Sequence, residues 1–481
     1  MLLGLDLGTS SVKALLVGEG GEALGEGSAA YEVRAPRPGW AESSPSEWWD
    51  AVVEATGLAV GERATEVTAL GLSGQMHGVV LVDEGGSPLR PAVLWADARS
   101  GAQLAAYGEL DEGLRRRLAN PPAVGMAGPS LLWLRDNEHD AYAAAGWALQ
   151  PKDWLRMRLT GEVATEPSDA SATLLYDLPA DDWSYAVVDN LGLREGLLPS
   201  LISSADVAGR LTAQAAGELG LPRGLPVAAG AADTAAAMLG VGLSQTGPAQ
   251  LTIGTGGQIV TPRESPEVDP RLRTHLYRGA LPGLWYSMAA IQNAGLALEW
   301  VRKVLGVSWD EVYDEAFAVP PGSGGVTFLP YLSGERTPRF DPGARGAWTG
   351  LGLDHNRGHL LRAALEGVAF ALREGLEALE EPGGEDVELR LAGGGASGGS
   401  GDGWRQLLAD VMGRPLWLLP DEISTVASAR GAAFLAGLAS GVYSSAEDTL
   451  TPDPERSIHP GEADYGRAYE RYKELYPKLY G

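Results

Sequence analysis

Two short turns that lie half a chain apart constrain the fold more than any other feature of this sequence. The first interrupts "LLGLDLGTSSVKALLV" (Leu2 to Val17), and the second interrupts "AQLTIGTGGQIVT" (Ala249 to Thr261). Each segment has strand-forming residues, then Gly-Thr with further small residues, then strand-forming residues again. Because glycine allows positive φ and hydroxyl groups bond to the local backbone, both turns are typical of β-hairpins. The repetition predicts a duplicated fold with two lobes.

The segments after each turn alternate between strands and helices, which predicts α/β lobes whose sheets are covered by helices. Ser44, Pro45 and Glu47 predict a capping box at the start of the first helix. The break "GVGLSQTGPAQ" separates an N-terminal lobe, residues 1–243, from a C-terminal lobe, residues 244–481, with a substrate cleft between them. The predicted elements are strands at 23–33, 67–73 and 387–391 and helices at 45–63, 294–305, 357–380, 405–412 and 426–441.

The charge of the chain limits the partners that it can bind. Its 481 residues include 63 acidic and 37 basic ones, for a formal net charge of −26 at pH 7. Such a surface repels nucleic acid and anionic lipid, so we expect neither as a partner. The chain has no cysteine, so a metal must be held by carboxylates or arrive with a substrate. The N-terminal "MLLGLDLG" lacks the basic region of a signal peptide, and no apolar run reaches the ~18 residues of a membrane span, so we expect a cytoplasmic protein.

A Gly-Thr turn can do more than close a hairpin. It presents successive backbone N–H groups and hydroxyls in one concavity, and such a nest binds phosphate without positive side chains. An acidic chain could hold ATP in this way. Asp6, just before the first turn, suits a Mg²⁺ ion that is bound to the phosphate. The alternative is a plain hairpin with a capping aspartate.

Asp233 is the strongest candidate for acid–base chemistry. In "PVAAGAADTAAAMLG" it follows a short apolar strand and a glycine, and it opens an alanine-rich helix with Thr234. One interpretation is a helix cap, because a carboxylate at a helix N-terminus is favourable. The other is a base that faces the cleft, with small neighbours that allow a substrate to approach.

Two further segments carry groups that could contact a ligand. Gln75, Met76 and His77 lie between glycines just after a predicted strand, where they suit a polyhydroxylated ligand. A lone histidine is more often structural, so that alternative stays open. The glycine run "LAGGGASGG" at 391–399 would allow a flat base or a ribose to approach the backbone, or it is a simple loop.

Taken in this order, these segments resemble the FGGY carbohydrate kinases, and most closely the xylulokinase branch. The likeness extends over nearly the whole chain and includes "GLDLGTSSVK", "SPSEWW", "GLSGQMHG", "LWADAR", "GTGG", "FLPYLSGERTP", "GAWTGLGL" and "LAGGGA". The segment "QMHG" discriminates well, since glycerol kinases typically have Arg–Glu in place of Met76–His77. The resemblance implies a duplicated two-lobed actin/hexokinase-like ATPase fold (ribonuclease H-like) with an interlobe cleft. It also implies ATP, Mg²⁺ and a sugar as ligands, and it is compatible with a homodimer.

The resemblance also implies roles for individual residues. Asp233 would be the base for transfer of the γ-phosphoryl group of ATP to a sugar hydroxyl, which is O5 if the sugar is D-xylulose. An aspartate of ordinary pKa, ~3.9, would be ionised at neutral pH and ready for this task. The implied contacts are Gln75, Met76, His77, Asp233 and Thr234 for sugar; Gly8, Thr9, Ser10, Thr255, Gly256 and Gly257 for phosphate; Gly394, Gly395 and Ala396 for adenosine; and Asp6 for Mg²⁺.

The chain departs from the family pattern at a few positions. Thr234 lies where xylulokinases often have asparagine, which leaves the identity of the sugar open. The second Gly-Thr turn continues with Gly-Gly where Ser-Gly is commoner, and the loop after Ala396 is longer than usual. Ser130 and Ala96 replace a lysine and an asparagine that the family usually has.

Several other functions fit parts of the sequence. The nearest is an FGGY kinase for another acceptor, such as ribulose, xylitol, erythritol or a deoxy-ketose. An actin- or Hsp70-like ATPase would share the two phosphate turns, but it gives no reason for Gln75, Met76 and His77. A sugar-binding protein that has lost its activity would bind sugar and transfer nothing. A glycosidase with paired carboxylates has no use for two phosphate turns.

Overall fold

The computed structural model describes residues 1–380, 388–392, 401–446, 454 and 456–481. This part of the chain forms two lobes, each built on a mixed β-sheet. The predicted adenosine contacts Gly394, Gly395 and Ala396 lie outside the described residues, as does the first residue of the strand predicted at 387–391.

The two sheets repeat one topology, which confirms the duplication predicted from the turns. In the N-terminal sheet, Leu2–Leu7, Ser11–Val17 and Ala23–Ala30 form an antiparallel meander, and Ala69–Gly74 pairs in parallel with the first of these strands. In the C-terminal sheet, the meander is Ala249–Ile253, Gly257–Arg263 and Trp285–Ile291, and Leu389–Ala392 pairs in parallel with its first strand. The strand order of the N-terminal sheet is Val207–Arg210, Pro226–Ala228, Ala69–Gly74, Leu2–Leu7, Ser11–Val17, Ala23–Ala30, with Ala231–Ala232 also paired to Ala69–Gly74. The strand order of the C-terminal sheet is His275–Arg278, Trp285–Ile291, Gly257–Arg263, Ala249–Ile253, Leu389–Ala392, Leu416–Leu418, Arg456–Ile458.

Helices cover these sheets, and smaller strand pairs form separate two-stranded sheets. The two-stranded pairs are Glu42–Ser43 with Ala92–Val93, Val80–Val82 with Trp147–Leu149, Tyr176–Asp177 with Asp182–Trp183, and Thr327–Leu329 with Ala347–Thr349. The α-helices are Pro45–Val60, Leu104–Glu109, Glu112–Leu118, Ala127–Asn137, His139–Ala144, Pro151–Thr160, Pro167–Ala170, Tyr185–Asn190, Ala213–Leu219, Asp233–Gly240, Gly295–Leu305, Trp309–Phe317, Arg357–Leu379, Asp402–Met412, Asp421–Ser424, Ala427–Ser440, Gly466–Lys473 and Leu475–Tyr480. Within the described ranges, no helix has the length and apolar character needed to cross a membrane.

The capping box predicted at the start of helix Pro45–Val60 is wrong. Ser44 makes no side-chain cap hydrogen bond, and its Oγ lies 2.8 Å from Ser46 Oγ instead. Glu47 is engaged by Arg34, whose Nη2 lies 2.5 Å from the carboxylate. Glu47 therefore pairs with Arg34 and does not bond the backbone N–H of Ser44, as a capping box requires.

Helix Ala427–Ser440 belongs to the C-terminal lobe by sequence but packs against the N-terminal sheet. The backbones approach so closely that a Cβ atom on Gly4 would lie 1.9 Å from the carbonyl oxygen of Ala429. A Cβ atom on Gly71 would lie 1.7 Å from the carbonyl oxygen of Ala432. Glycine at these two strand positions is thus required by the contact, which couples the lobes behind the cleft.

Candidate active site

A cavity of about 400 Å³ is lined by residues from both lobes. It brings four predicted sugar contacts, Met76, His77, Asp233 and Thr234, together with the second Gly-Thr turn. The N-terminal lobe contributes Met76, His77, Trp95, Asp233 and Thr234, and the C-terminal lobe contributes Thr252, Gly254, Thr255, Gly256, Gly257, Gln258, Met288, Ala290, Ile291, Gln292 and Arg336. The cavity therefore places a carboxylate beside a turn of the kind that binds phosphate.

Asp233 begins helix Asp233–Gly240, directly after the short strand Ala231–Ala232. That strand pairs in parallel with Ala69–Gly74, so Asp233 and the residues after Gly74 emerge at one edge of the sheet. The carboxylate oxygen Oδ1 of Asp233 accepts hydrogen bonds from the backbone N–H of Thr234 (2.5 Å) and from its hydroxyl (3.1 Å). Burial raises the pKa of Asp233 to about 6, although these hydrogen bonds oppose the shift. A carboxylate with a pKa this close to neutrality suits a general base better than one of ordinary pKa.

His77 and Met76 form the wall of the cavity on the side of the N-terminal lobe. His77 adopts a positive φ of 71°, a conformation that is uncommon outside glycine and occurs more often at functional sites. Its Nδ1 lies 2.7 Å from the carbonyl oxygen of Ala172, so Nδ1 is the protonated donor. Burial lowers the pKa of His77 to about 4, which leaves the ring neutral and Nε2 a hydrogen-bond acceptor. The sulfur of Met76 lies 3.8 Å from the hydroxyl of Tyr286, across the lobe boundary.

The first Gly-Thr turn lies beside the cavity and does not line it directly. Trp95, which does line the cavity, donates from Nε1 to the hydroxyl of Thr9 at 2.9 Å, while Ser10 is exposed. Gln75 is buried beneath the turn and donates from Nε2 to the carbonyl of Gly8 at 3.1 Å. The structure thus places Gln75 as a support of the first turn, whereas sequence reasoning placed it among the sugar contacts.

Asp6 lies in strand Leu2–Leu7, where its carboxylate feels the charge of Asp233. Burial and the charge of Asp233 raise the pKa of Asp6 to about 7, although Lys13 opposes this. One oxygen of Asp6, Oδ1, is buried without a hydrogen-bond partner in the described part of the chain. The same part of the chain has no cluster of three or more histidine, aspartate or glutamate residues that could hold a metal alone. A single unpartnered carboxylate fits Mg²⁺, which takes most of its ligands from water and phosphate.

The second Gly-Thr turn is packed too tightly for a side chain at Gly256. A Cβ atom there would lie 2.7 Å from the carbonyl oxygen of Ile291, so any side chain at this position would require a shift. Helix Gly295–Leu305 begins directly on the turn, because the N–H groups of Gly295 and Leu296 donate to Gly254 (3.0 Å) and Thr255 (2.9 Å). This explains why the chain has Gly-Gly here and still forms the hairpin.

Behind Asp233 lies a cluster of five ionisable side chains that sequence reasoning missed. Lys152, Asp153, Arg156, Glu166 and Asp169 are all fully buried. The ammonium of Lys152 lies 2.6 Å from Asp153, 3.2 Å from Asp169 and 3.5 Å from Glu166, and Arg156 lies 3.0 Å from Asp153. Burial, opposed by the charge of Lys152, raises the pKa of Asp169 well above its usual range. These residues all lie in the polar segment "QPKDWLRMRLTGEVATEPSDAS". Their spacing does not predict that their side chains come together in one buried cluster.

This buried cluster holds the segment that carries Asp233. Glu166 accepts a hydrogen bond from the hydroxyl of Ser168, and that hydroxyl oxygen accepts the backbone N–H of Ala232 at 2.9 Å. Arg156 donates to the carbonyl of Ala229 at 2.8 Å. The residues immediately before Asp233 are therefore fixed from behind by charged groups, which positions the carboxylate toward the cavity.

The duplicated fold, the two Gly-Thr turns and the buried aspartate in the cleft define a two-lobed phosphotransferase of the actin/hexokinase-like class. The chain belongs to the FGGY family of carbohydrate kinases, whose N-terminal domain matches residues 1–240 and whose C-terminal domain matches residues 249–440. It is thus an ATP-dependent carbohydrate kinase, as the resemblance predicted.

Individual relatives extend this comparison over the full chain. The xylulose kinase of Escherichia coli (strain K12) is 35% identical over 483 residues, with 100% of this chain and 98% of the relative covered. The crystal structure of a xyloylose kinase from Brucella ovis matches with a TM-score of 0.93 at 37% identity and 99% coverage of both chains. That of a gluconate kinase from Lactobacillus acidophilus matches with a TM-score of 0.93 at 25% identity, covering 99% of this chain and 97% of that one. The same two-lobed fold therefore serves kinases named for different acceptors.

Proposed function

We propose that this kinase transfers the γ-phosphoryl group of ATP to D-xylulose and forms D-xylulose 5-phosphate. The observation that carries the proposal is that Asp233 lines one cavity together with Met76, His77 and the turn Thr255–Gly257. Relatives over the full length that are named xylulose kinases support the choice of sugar.

In the proposed mechanism the chain mainly positions the two substrates. The N–H groups of the second Gly-Thr turn, which lines the cavity, hold the phosphates together with those of the first turn beside it, and the neutral ring of His77 accepts a hydrogen bond from the sugar through Nε2. Asp233 orients the attacking hydroxyl and accepts its proton late in the transfer, because phosphoryl transfer requires little covalent chemistry from the protein. Asp6 would hold Mg²⁺, which when bound offsets the negative charge of the phosphates.

Thr234 leaves the identity of the sugar open, so acceptors other than D-xylulose are also tested. Its hydroxyl donates to Asp233, so it helps to orient the base. An asparagine, as xylulokinases often have here, would offer an amide with both donor and acceptor to the sugar. A second ketopentose, a polyol or a sugar acid is accordingly included in the experiment below.

The proposal is tested by ADP release with Mg²⁺ and ATP in the presence of one acceptor at a time. The panel contains D-xylulose, D-ribulose, L-ribulose, xylitol, erythritol, glycerol and gluconate, each measured against a blank without acceptor. We expect D-xylulose to give the highest kcat/KM and the blank to give little ADP. A different preferred acceptor would contradict the choice of sugar, and ADP release that no acceptor stimulates would contradict the kinase itself.

The raised pKa of Asp233 predicts the pH dependence of that reaction. A base acts in its ionised form, and saturating Mg²⁺ would keep the Asp6 carboxylate ionised, so kcat/KM should be constant above the pKa of Asp233 and fall about tenfold per pH unit below about 6. The Thr234→Val variant should move this midpoint upward, because it removes a hydrogen bond to the carboxylate that lowers the pKa. The measurement is kcat/KM for the sugar from pH 4.5 to 8, with recovery of activity at pH 7.5 after each incubation. A profile that stays flat through pH 5 would rule out Asp233 as the base.

Three parts of the proposal depend on the sequence alone. These are adenosine binding by Gly394, Gly395 and Ala396, a cytoplasmic location, and assembly as a homodimer. They stay predictions.

A further inference from the structure

Arg336 of the C-terminal lobe is a charged residue of the cavity to which neither the sequence nor the proposed mechanism gives a role. It lies in the segment "PYLSGERTP" and lines the cavity together with Met76, His77 and Asp233. Its side chain is half-buried. A guanidinium group in this position carries five N–H donors and a permanent positive charge.

The guanidinium of Arg336 has no hydrogen bond or ion pair with any residue that the structure describes. Other arginines of this lobe are engaged, since Arg339 pairs with Glu374 and Arg278 lies 2.7 Å from Asp181. The adjacent Glu335 feels the charge of Arg336 but forms no ion pair with its guanidinium, and its Oε1 accepts the backbone N–H groups of Gln292 (2.5 Å) and Arg336 (2.8 Å). In a chain with 63 acidic residues, an arginine left unpaired in a cavity points to a ligand that supplies the missing acceptors.

The backbone around Arg336 is fixed, so the guanidinium is presented from a defined position. Thr337 donates its N–H to the carbonyl of Ala290 at 3.0 Å, and its hydroxyl accepts the N–H of Ala290 at 3.1 Å. Both bonds tie the segment to strand Trp285–Ile291. Sites built on rigid elements recognise ligands with defined geometry.

Arg336 lines the same cavity as His77 and interacts with it electrostatically. Its charge contributes to lowering the pKa of His77 and of His275, after the larger effect of burial. It is not among the charges that shift the pKa of Asp233 or of Asp6. The charge of Arg336 thus acts on His77, the group proposed to bind sugar, and is not among the charges that act on the carboxylates proposed for the reacting hydroxyl and for Mg²⁺.

We propose that Arg336 is a sugar-binding and specificity-determining residue, which donates hydrogen bonds to oxygens of the acceptor other than the one phosphorylated. The proposal rests on the function proposed above. Nε2 of His77 carries no proton and accepts a hydrogen bond, whereas the guanidinium of Arg336 donates hydrogen bonds. The two lobes therefore offer complementary groups to one polyhydroxylated ligand. A forked guanidinium matches two neighbouring oxygens, such as the carbonyl and the adjacent hydroxyl of a ketose. Because one partner comes from each lobe, bound sugar holds the lobes together over the reacting groups.

The test compares wild type with Arg336→Ala, Arg336→Lys and the control Arg345→Ala. Arg345 is exposed, follows Arg336 closely in the chain and donates its side-chain hydrogen bonds only to the nearby carbonyls of Pro342 and Ala344, so its loss should leave sugar binding unchanged. We expect Arg336→Ala to raise the KM and the Kd for sugar by about 10- to 100-fold, the usual range for hydrogen bonds to a charged group. The KM for ATP should stay within about twofold, since lost binding of one substrate appears in its own KM. Arg336→Lys keeps the charge without the fork and should fall between wild type and Arg336→Ala.

Calorimetric titration of sugar without ATP separates the outcomes. An unchanged sugar Kd in both Arg336 variants would overturn the inference, as would a rise confined to the KM for ATP, which would assign Arg336 to the phosphates. If circular dichroism shows that Arg336→Ala is unfolded, Arg336→Lys alone tests the inference. Wild-type sugar affinity in Arg336→Lys would then overturn the role of the forked guanidinium. A wild type that binds and phosphorylates no acceptor of the panel would instead overturn the proposed function, and the inference with it.

Discussion

Changing Asp233 to asparagine is expected to lower the turnover of sugar phosphorylation by about 10²- to 10⁴-fold, the usual contribution of a general base. Asparagine has nearly the same shape and can accept the hydrogen bonds from Thr234, but it cannot take up a proton. The sugar Kd should therefore change little while kcat falls. The measurement is kcat by ADP release together with sugar Kd by calorimetry.

The same variant should be more stable than wild type at neutral pH. Burial raises the pKa of Asp233 to about 6, above the ~3.9 of an unfolded chain, so ionisation costs stability as the pH rises through this interval. The gain in Tm of Asp233→Asn should be largest above pH 6 and should vanish near pH 4. Asp50→Asn removes a charge from an exposed helix position and serves as the matched control for stability.

Retention of more than a tenth of wild-type turnover by Asp233→Asn would show that Asp233 is not the general base.

Changing Lys152 to methionine is expected to lower the free energy of unfolding by about 3–5 kcal/mol, the usual cost of removing one partner of a buried ion pair. Lys152 contacts Asp153, Asp169 and Glu166, and all of these side chains are fully buried. Without the ammonium of Lys152, the guanidinium of Arg156 would be the remaining positive charge of the cluster beside three carboxylates. Thermal and urea unfolding of the purified protein measure the effect.

Lys303→Met is the matched control for that experiment. Lys303 pairs with Glu299 at 3.2 Å, but its side chain is 67% exposed, so its loss should change stability by less than about 1 kcal/mol. The two variants remove the same group from opposite environments. A Lys152→Met protein as stable as Lys303→Met would contradict the account of the buried cluster.

The sequence predicts the duplicated sheets well because their signals are local. A Gly-Thr turn between two apolar strands specifies a hairpin within a few residues, and the structure has both hairpins in register. Helix Pro45–Val60 is likewise local, and its start within one residue of the prediction reflects Pro45. Its capping box failed because Glu47 pairs with Arg34, a contact that no pattern within the helix reveals.

The sequence predicts only those residues of the candidate site that belong to a recognisable motif. Asp233, Met76 and His77 meet in one cavity as the motifs suggested. Gln75 lies in the same motif, yet its side chain turns beneath the first hairpin, because neighbouring residues at a strand end point in different directions. The buried cluster around Lys152 and the position of Arg336 arise from tertiary packing between distant segments, so spacing along the chain carries no signal for them.

The central claim is that this chain moves a phosphoryl group from ATP to the O5 hydroxyl of D-xylulose. Phosphorus-31 NMR of a reaction that contains the protein, Mg²⁺, ATP and D-xylulose tests it most directly, because it distinguishes transfer to sugar from hydrolysis by water. The account predicts loss of the ATP γ-phosphate signal, growth of one phosphomonoester signal coupled to the C5 protons, and no product with Asp233→Asn. Inorganic phosphate as the sole product, or a phosphomonoester at another carbon, would contradict it.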